Sequence, residues 1–101
     1  MKRIARLRLD AFKAQQGRCF YCTSRMWVKS PSELESGAIN RPARLLQCTA
    51  EHLVARQWGG KEDVSNIVAA CWRCNQTRHR RKKELSAAEF KLLVQKHLAL
   101  R

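Results

Sequence analysis

The chain has 101 residues, 45% of them hydrophobic, which excludes a globally disordered protein and predicts a single domain over residues 1–101. Its 21 lysine and arginine residues against eight acidic residues leave a formal net charge of +13, which indicates a polyanionic partner. Nucleic acid is favoured over an anionic membrane surface. The sequence has neither a membrane-spanning apolar run nor the apolar segment of a secretory signal, so we expect no membrane insertion and a reducing, cytoplasmic environment.

The first predicted element is a basic helix over residues 2–16. Leu7 and Ala11 are four residues apart and share one helix face with Phe12 beside them, so this face is expected to pack on the core. Gly17 follows as a helix stop.

The middle of the chain is predicted to consist of short extended segments joined by turns. Residues 19–22 are expected to form a tight turn, residues 26–28 a short strand, and residues 30–42 a loop rich in serine, proline and glycine. Residues 44–50 are predicted to be extended, and residues 58–61 form a glycine-containing turn.

The last third of the chain is predicted to be mainly helical. Residues 66–70 read as a short apolar strand or turn, and residues 75–83 are polar and compatible with a helix. Ser86 and Glu89 form a capping box that starts a C-terminal helix. The expected organisation is a basic N-terminal helix over 1–17, a core over 18–83 and a C-terminal helix over 86–101.

Four of the five cysteines form two Cys-x-x-Cys pairs. Two intervening residues let one tight turn present both sulfurs, and zinc prefers a tetrahedron of such ligands. A reducing compartment favours metal over disulfides, and neither pair has a thioredoxin-like context that would indicate a redox pair. Cys48 is left over and is expected to be a buried thiol. The predicted structural zinc ligands are Cys19, Cys22, Cys71 and Cys74.

A second group of ligand-type residues lies between and after these pairs. Glu51 and His52 are consecutive at the end of an extended segment, which points their side chains to opposite faces. Asn75 and His79 are four apart and share one helix face. With Glu51 they form a candidate site for a divalent ion such as Mg²⁺ or Mn²⁺, and His52 remains free as a general base.

These residues also have plainer interpretations. A glutamate–histidine pair is common, Asn75 could be the N-cap of the following helix, and His79 could be one more phosphate-facing residue. His79 lies in the densest basic stretch of the chain, residues 78–83. Together with Arg73, the basic residues of this stretch are the predicted nucleic-acid-binding residues: Arg73, Arg78, Arg80, Arg81, Lys82 and Lys83.

Several motifs occur together in one order. They are Gly17-Arg18-Cys19-Phe20-Tyr21-Cys22, Glu51-His52-Leu53-Val54, Gly59-Gly60, Asn66-Ile67-Val68 and Cys71-Trp72-Arg73-Cys74-Asn75. In this order the segment 17–83, about two-thirds of the chain, resembles the HNH endonucleases of the zinc-knuckle type. The resemblance implies an α+β fold: a small ββα-metal finger, in which a hairpin is followed by a helix, stapled by a four-cysteine zinc site and flanked by the two terminal helices.

The resemblance also implies roles for individual residues. His52 would activate water, and Asn66 would hold the hairpin loop and orient that base. Glu51, Asn75 and His79 would surround the catalytic ion. The products would carry 5′-phosphate and 3′-hydroxyl ends.

The sequence departs from the family pattern at three positions. Glu51 stands where aspartate is usual, and its extra methylene group would shift or loosen the metal site. Ala55 replaces a frequent proline. Asn75 stands where histidine is usual, a variant that the family also shows.

We therefore expect a metal-dependent endonuclease that hydrolyses phosphodiester bonds in DNA, with double-stranded DNA as the expected substrate. The alternatives are a non-catalytic, zinc-stabilised nucleic-acid-binding module and an accessory subunit that acts with a protein partner in a larger DNA-processing assembly. Because His52 accompanies a complete set of ligands, the sequence favours the enzyme.

Overall fold

The computed structural model describes residues 2–35 and 41–100. The predicted α+β fold is confirmed: a two-stranded antiparallel hairpin leads directly into a helix, with one further helix at each end. The elements are α1 (Arg3–Ala14), β1 (Cys48–His52), β2 (Ile67–Cys71), α2 (Trp72–Arg80) and α3 (Ala87–Ala99). Three short 3₁₀ helices lie between them, at Pro31–Glu33, Ala43–Leu46 and Arg56–Trp58.

The hairpin register determines which side chains meet across the sheet. Cys48 pairs with Cys71 at one end, and His52 pairs with Ile67 at the other, where the loop 53–66 joins the strands. Helix α2 begins immediately after β2, and its N-cap is Cys71, whose sulfur accepts a hydrogen bond from the Cys74 amide. The residues at the end of β1 and those on the first turns of α2 are thereby brought together.

Helix α1 packs across both strands through the buried Leu7. At its end, the Gln15 side chain accepts from the Ala69 amide at 2.9 Å and donates to the Ala69 carbonyl at 2.8 Å. The Gln15 amide thereby bonds both backbone groups of Ala69 in the middle of β2, as a neighbouring strand would. Gly17 then turns the chain with a φ of +76°, a conformation that favours glycine.

Two predicted extended segments are shorter than expected. Residues 26–28 form no regular strand; Trp27 makes one isolated bridge, to Gln47. The predicted extended segment 44–50 begins instead as the 3₁₀ helix Ala43–Leu46, and the strand starts at Cys48. The physical reason is a contact across 16 residues of sequence, in which the Trp27 indole donates to the Ala43 carbonyl and holds that turn.

The predicted loop 30–42 begins with an ordered turn. Ser30 and Glu33 form a capping box around the 3₁₀ helix Pro31–Glu33. The backbone amides of Val28, Lys29 and Ser30 donate to the Glu33 carboxylate and hold its pKa below the usual value. The part of the predicted loop from 36 to 40 lies outside the described residues.

The C-terminal helix starts as predicted. The hydroxyl of Ser86 accepts from the Glu89 amide, and the Glu89 carboxylate accepts from the Ser86 amide. On the inner face of α3, Phe90 is 2% exposed and packs edge-on against Tyr21 with the ring centroids 4.9 Å apart. Helix α3 therefore covers the turn that carries the first cysteine pair.

No helix in residues 2–35 and 41–100 has the length and apolar character required to cross a bilayer.

Candidate functional site

The two cysteine pairs meet in one buried cluster. The sulfur atoms of Cys19, Cys22, Cys71 and Cys74 all lie within 4.8 Å of one another. Thiolates at about 2.3 Å from a tetrahedral zinc ion are about 3.8 Å apart, and the Sγ atoms of Cys22 and Cys71 are separated by 3.8 Å. The cluster therefore has the size and the donor atoms required to hold one zinc ion.

Cys48 does not belong to this cluster, although it is paired with Cys71 in the sheet. Its side chain is buried, as expected, and burial raises the pKa of its thiol to about 11. Cys48 is therefore a neutral thiol in the core rather than a fifth sulfur ligand.

Glu51 lies in the interior at the far end of β1, with 1% of the residue exposed. Its Oε2 accepts from the Tyr21 hydroxyl at 2.8 Å and from Nη1 of Arg78 at 3.0 Å. Its Oε1 is hydrogen-bonded to Nε2 of His79 at 2.9 Å. One carboxylate oxygen is thus used inside the protein, and the other faces a histidine that is partly exposed.

Arg78 requires a correction, because the sequence placed it among the nucleic-acid-binding residues. Its guanidinium is buried and donates to Glu51, to the Tyr21 hydroxyl and to the carbonyls of His52 and Leu53. The reason is helix geometry: Arg78 follows the buried Cys74 by four residues and shares its inward face. Arg78 therefore stabilises the end of β1 and is not available to phosphate.

Asn75 and His79 lie on the adjacent face of α2, as the spacing predicted. The Asn75 side-chain nitrogen donates to the Thr49 hydroxyl at 3.0 Å and to the Ala50 carbonyl at 3.4 Å. Because Cys71 is the N-cap of α2, the capping interpretation of Asn75 is wrong. Asn75 instead joins α2 to β1.

His52 is the last residue of β1, and its side chain is 13% exposed. Its Nε2 accepts a hydrogen bond from Nε of Arg56 at 3.3 Å, and Arg56 in turn pairs with Glu62. Burial, followed by the positive charge of Arg56, lowers the pKa of His52 below its usual 6.5. The surroundings therefore favour the neutral imidazole, which is the form that can accept a proton.

Asn66 holds the loop that follows His52. Its side-chain oxygen accepts from the Val54 amide at 2.8 Å, and its nitrogen donates to the carbonyls of Val54 and Lys61 at 3.1 and 2.9 Å. This one amide thereby closes the loop 53–66 at its base.

The glycine pair has a steric function in the same loop. Gly59 adopts a φ of +87°, and a Cβ atom on Gly60 would lie only 1.7 Å from the Val54 carbonyl oxygen. Larger residues would push the loop away from the end of β1.

Several candidate site residues line one cavity of about 720 Å³. Glu51, His52, Asn75 and His79 all line it, although Glu51 and His52 are consecutive on the strand. Adjacent ligands of an octahedral ion at about 2.1 Å lie about 3.0 Å apart, which matches the 2.9 Å between Oε1 of Glu51 and Nε2 of His79. Among the described residues, the four cysteines are the only group of three or more Cys, His, Asp or Glu side chains close enough to share a metal ion. The agreement with the geometry of an octahedral ion therefore rests on Glu51 and His79 alone.

Several residues of the site carry no recognisable sequence signal. Tyr21 lies between two cysteines and looks like core, but its hydroxyl reaches the carboxylate of Glu51 across 30 residues of sequence. Arg56 and Glu62 lie in the loop and look like ordinary surface charges, yet they contact or face the His52 ring.

The other predicted binding residues have different surroundings. Arg80 places its guanidinium 5.9 Å from the centre of the Trp72 ring, whereas Arg73 and Arg81 line a second cavity of about 320 Å³ beside α3. Five of the six predicted binding residues are exposed: Arg73, Arg80, Arg81, Lys82 and Lys83.

Comparison with known proteins identifies one relationship. A family model described as HNH endonuclease matches residues 19–81, well over half of the chain and the whole of the cysteine cluster, hairpin and α2. No curated protein and no solved structure matches the chain.

Proposed function

This chain belongs to the HNH endonuclease family, and on that premise we propose that it hydrolyses phosphodiester bonds in DNA. The observation that carries the proposal is the cavity in which His52 lies beside the Glu51–His79 pair. A base and a pair of cation ligands facing one space are what phosphodiester hydrolysis requires.

The proposed zinc ion is structural. Cys19, Cys22, Cys71 and Cys74 would hold it, and four protein ligands leave no open coordination position for substrate. The zinc would fasten the N-terminal turn to the start of α2, so that Tyr21 reaches Glu51.

The proposed catalytic ion would be held by Glu51 and His79, with Asn75 as the third ligand. It would be a hard divalent cation such as Mg²⁺ or Mn²⁺, because carboxylate and substrate phosphate oxygens suit such ions. When bound, the ion would supply Lewis-acid stabilisation of the negative charge that develops on the phosphate. Tyr21 and Arg78 keep the carboxylate of Glu51 in place through its other oxygen.

The proposed role of His52 is to accept a proton from the attacking water. In the structure its Nε2 is hydrogen-bonded to Arg56, so Arg56 has to release this nitrogen before the proton can move. Arg56 is exposed, and a phosphate entering the cavity would compete for its guanidinium. Substrate binding would thus free the base.

The first test removes the exposed ligand. Replacing His79 with alanine should weaken binding of the catalytic ion by at least about 10-fold. Plasmid cleavage should therefore fall at low Mn²⁺ and partly recover at high Mn²⁺. Glu51 is less suitable, because its removal would also leave Arg78 buried without its partner.

A matched control for this test is His97→Ala, which removes an exposed histidine of α3 that does not line the His52 cavity. It should leave the Mn²⁺ dependence unchanged. Equal cleavage by His79→Ala and the wild type at limiting Mn²⁺ would contradict the ligand assignment.

The second test concerns affinity for duplex DNA. Replacing Arg80 and Arg81 with alanine should weaken binding to all sequences about equally, because the contacts proposed for these exposed residues are to phosphates, which carry no sequence information. The slope of log affinity against log salt should flatten by up to about 2. Fluorescence anisotropy with labelled duplexes at several salt concentrations measures both effects.

The control removes equal charge elsewhere: Arg25→Ala with Arg44→Ala, two exposed arginines that line neither cavity. It should change the salt slope less. A wild-type affinity that does not vary with salt would show that the basic surface does not bind nucleic acid.

A further inference from the structure

Trp58 is an exposed aromatic residue on the wall of the His52 cavity. It ends the 3₁₀ helix Arg56–Trp58, and 66% of the residue is accessible to solvent. Core packing therefore does not account for it. Its large aromatic face is therefore open to a ligand that enters the cavity, and tryptophan supplies both apolar contact area and ring stacking.

The ring is held by a hydrogen bond to a distant part of the chain. Its indole nitrogen donates to Oε2 of Glu84 at 2.9 Å, and the neighbouring Gln57 side chain donates to Oε1 of the same carboxylate at 2.7 Å. Glu84 lies in the linker between α2 and α3, 26 residues away from Trp58. Because the ring edge is anchored, the side chain has little rotational freedom to lose when its surface is covered.

From these contacts we propose that Trp58 stacks on an unpaired nucleobase of the substrate strand. The inference rests on the proposed function and specifies its substrate: nucleic acid with at least one base outside the duplex stack near the cut. In a duplex the flat faces of the bases are covered by their neighbours, whereas a single strand or a flipped nucleotide offers a free π-face to an aromatic ring.

The charges around Trp58 favour a nucleotide over an apolar protein segment. Arg56 lies two residues before Trp58 and faces the same cavity as His52 and His79. The chain as a whole carries a net charge of +13, so a polyanion is attracted to it. A nucleotide offers both phosphate for these charges and a flat apolar ring for Trp58.

The test compares strands with and without bases. Binding is measured in the zinc-loaded chain carrying His52→Ala, without added Mg²⁺ or Mn²⁺, so that the strand is not consumed. The probes are a labelled single-stranded oligonucleotide, an abasic strand of equal length and a duplex. Trp58→Ala should weaken single-strand binding by between about 5-fold and about 150-fold, the range for loss of one base–aromatic stack. Binding of the abasic strand, which has the same phosphates, should barely change.

Two further variants exclude a trivial effect of the substitution. Trp58→Phe keeps an aromatic face but loses the indole hydrogen bond to Glu84, so it should bind the single strand more weakly than the wild type and more tightly than Trp58→Ala. Leu92→Ala removes another exposed apolar side chain, on α3 and away from this cavity, and should have no effect.

Glu84 supplies a test that separates two interpretations by the preference for the normal strand over the abasic one. If Glu84 were only a surface charge, Glu84→Ala would strengthen binding of both strands about equally and leave this preference unchanged, because a negative charge near phosphates is lost. If it positions Trp58, the variant should weaken the preference for the normal strand over the abasic one.

Equal effects of Trp58→Ala on the normal and abasic strands, or no effect on either, would overturn the proposal. Absence of plasmid cleavage by the wild type would instead refute the endonuclease activity, which these binding measurements do not test.

Discussion

Replacing His52 with alanine is expected to reduce DNA cleavage by about 100- to 10,000-fold, the usual contribution of a positioned proton acceptor. The side chain lies at the end of β1 and belongs to neither the cysteine cluster nor the Glu51–His79 pair. In the described structure its ring is hydrogen-bonded only to the exposed side chain of Arg56. Folding, zinc content and DNA affinity should therefore remain close to those of the wild type.

The measurement is the rate of plasmid nicking, together with circular dichroism and duplex affinity for the same preparations. His97→Ala serves as the matched histidine control because it lies outside the cavity. Cleavage by His52→Ala at the wild-type rate would refute the assignment of the base, whatever the behaviour of the metal ligands.

Replacing Cys71 with serine should unfold the protein. Cys71 is fully buried, belongs to the four-sulfur cluster, ends β2 and caps α2, so its loss disturbs metal binding and the hairpin–helix junction together. Structural zinc sites contribute about 10–16 kcal/mol in small domains, whereas the whole stability of a domain is about 5–15 kcal/mol. A chain of 101 residues has little additional core with which to compensate.

Elemental analysis and thermal melting followed by circular dichroism test this prediction. We expect one zinc per wild-type chain and no cooperative melt for Cys71→Ser. Cys48→Ser is the matched control, because Cys48 is equally buried and lies opposite Cys71 in the sheet but outside the cluster. It should keep its zinc and its melting transition. A folded, zinc-free wild-type protein would contradict the proposed structural site.

Local sequence patterns predicted much of the framework because the relevant interactions are short in range. The capping box at Ser86 and Glu89 marks the start of α3 from within one turn of helix. Each Cys-x-x-Cys pair spans only four residues, so its spacing is visible locally, and the two pairs do meet in one cluster. The apolar run at 66–70 leads into Cys71, where β2 is found.

The prediction was least accurate where distant residues decide the outcome. The segment 26–28 resembles a strand, but Trp27 has one bridge partner and no ladder. In the sequence Arg78 is one residue of a basic run. Only its position on the same inward face of α2 as Cys74 shows that it is buried. The Tyr21–Glu51 contact depends on closure of the cysteine cluster, which no local pattern describes.

The same limit applies to the loop between the strands. The role of Asn66 is implied by the family resemblance, and the glycine pair is predicted only as part of a turn. The loop closure by Asn66 and the close backbone approach at Gly60 are visible only in the structure. The pairing of Trp58 with Glu84 joins two loops through one hydrogen bond. Neither residue belongs to a motif, so only the folded chain relates them.

The central claim is that the cavity containing His52 and the Glu51–His79 pair cuts DNA. Its most direct test is incubation of supercoiled plasmid with the zinc-loaded wild-type chain in Mg²⁺, in Mn²⁺ and without either ion, beside His52→Ala under the same conditions. The account predicts nicked or linear plasmid with 5′-phosphate ends for the wild type in at least one of the two ions, and intact plasmid for the variant. Wild-type protein that binds the plasmid but leaves it intact in both ions would contradict the account and favour a non-catalytic or accessory role.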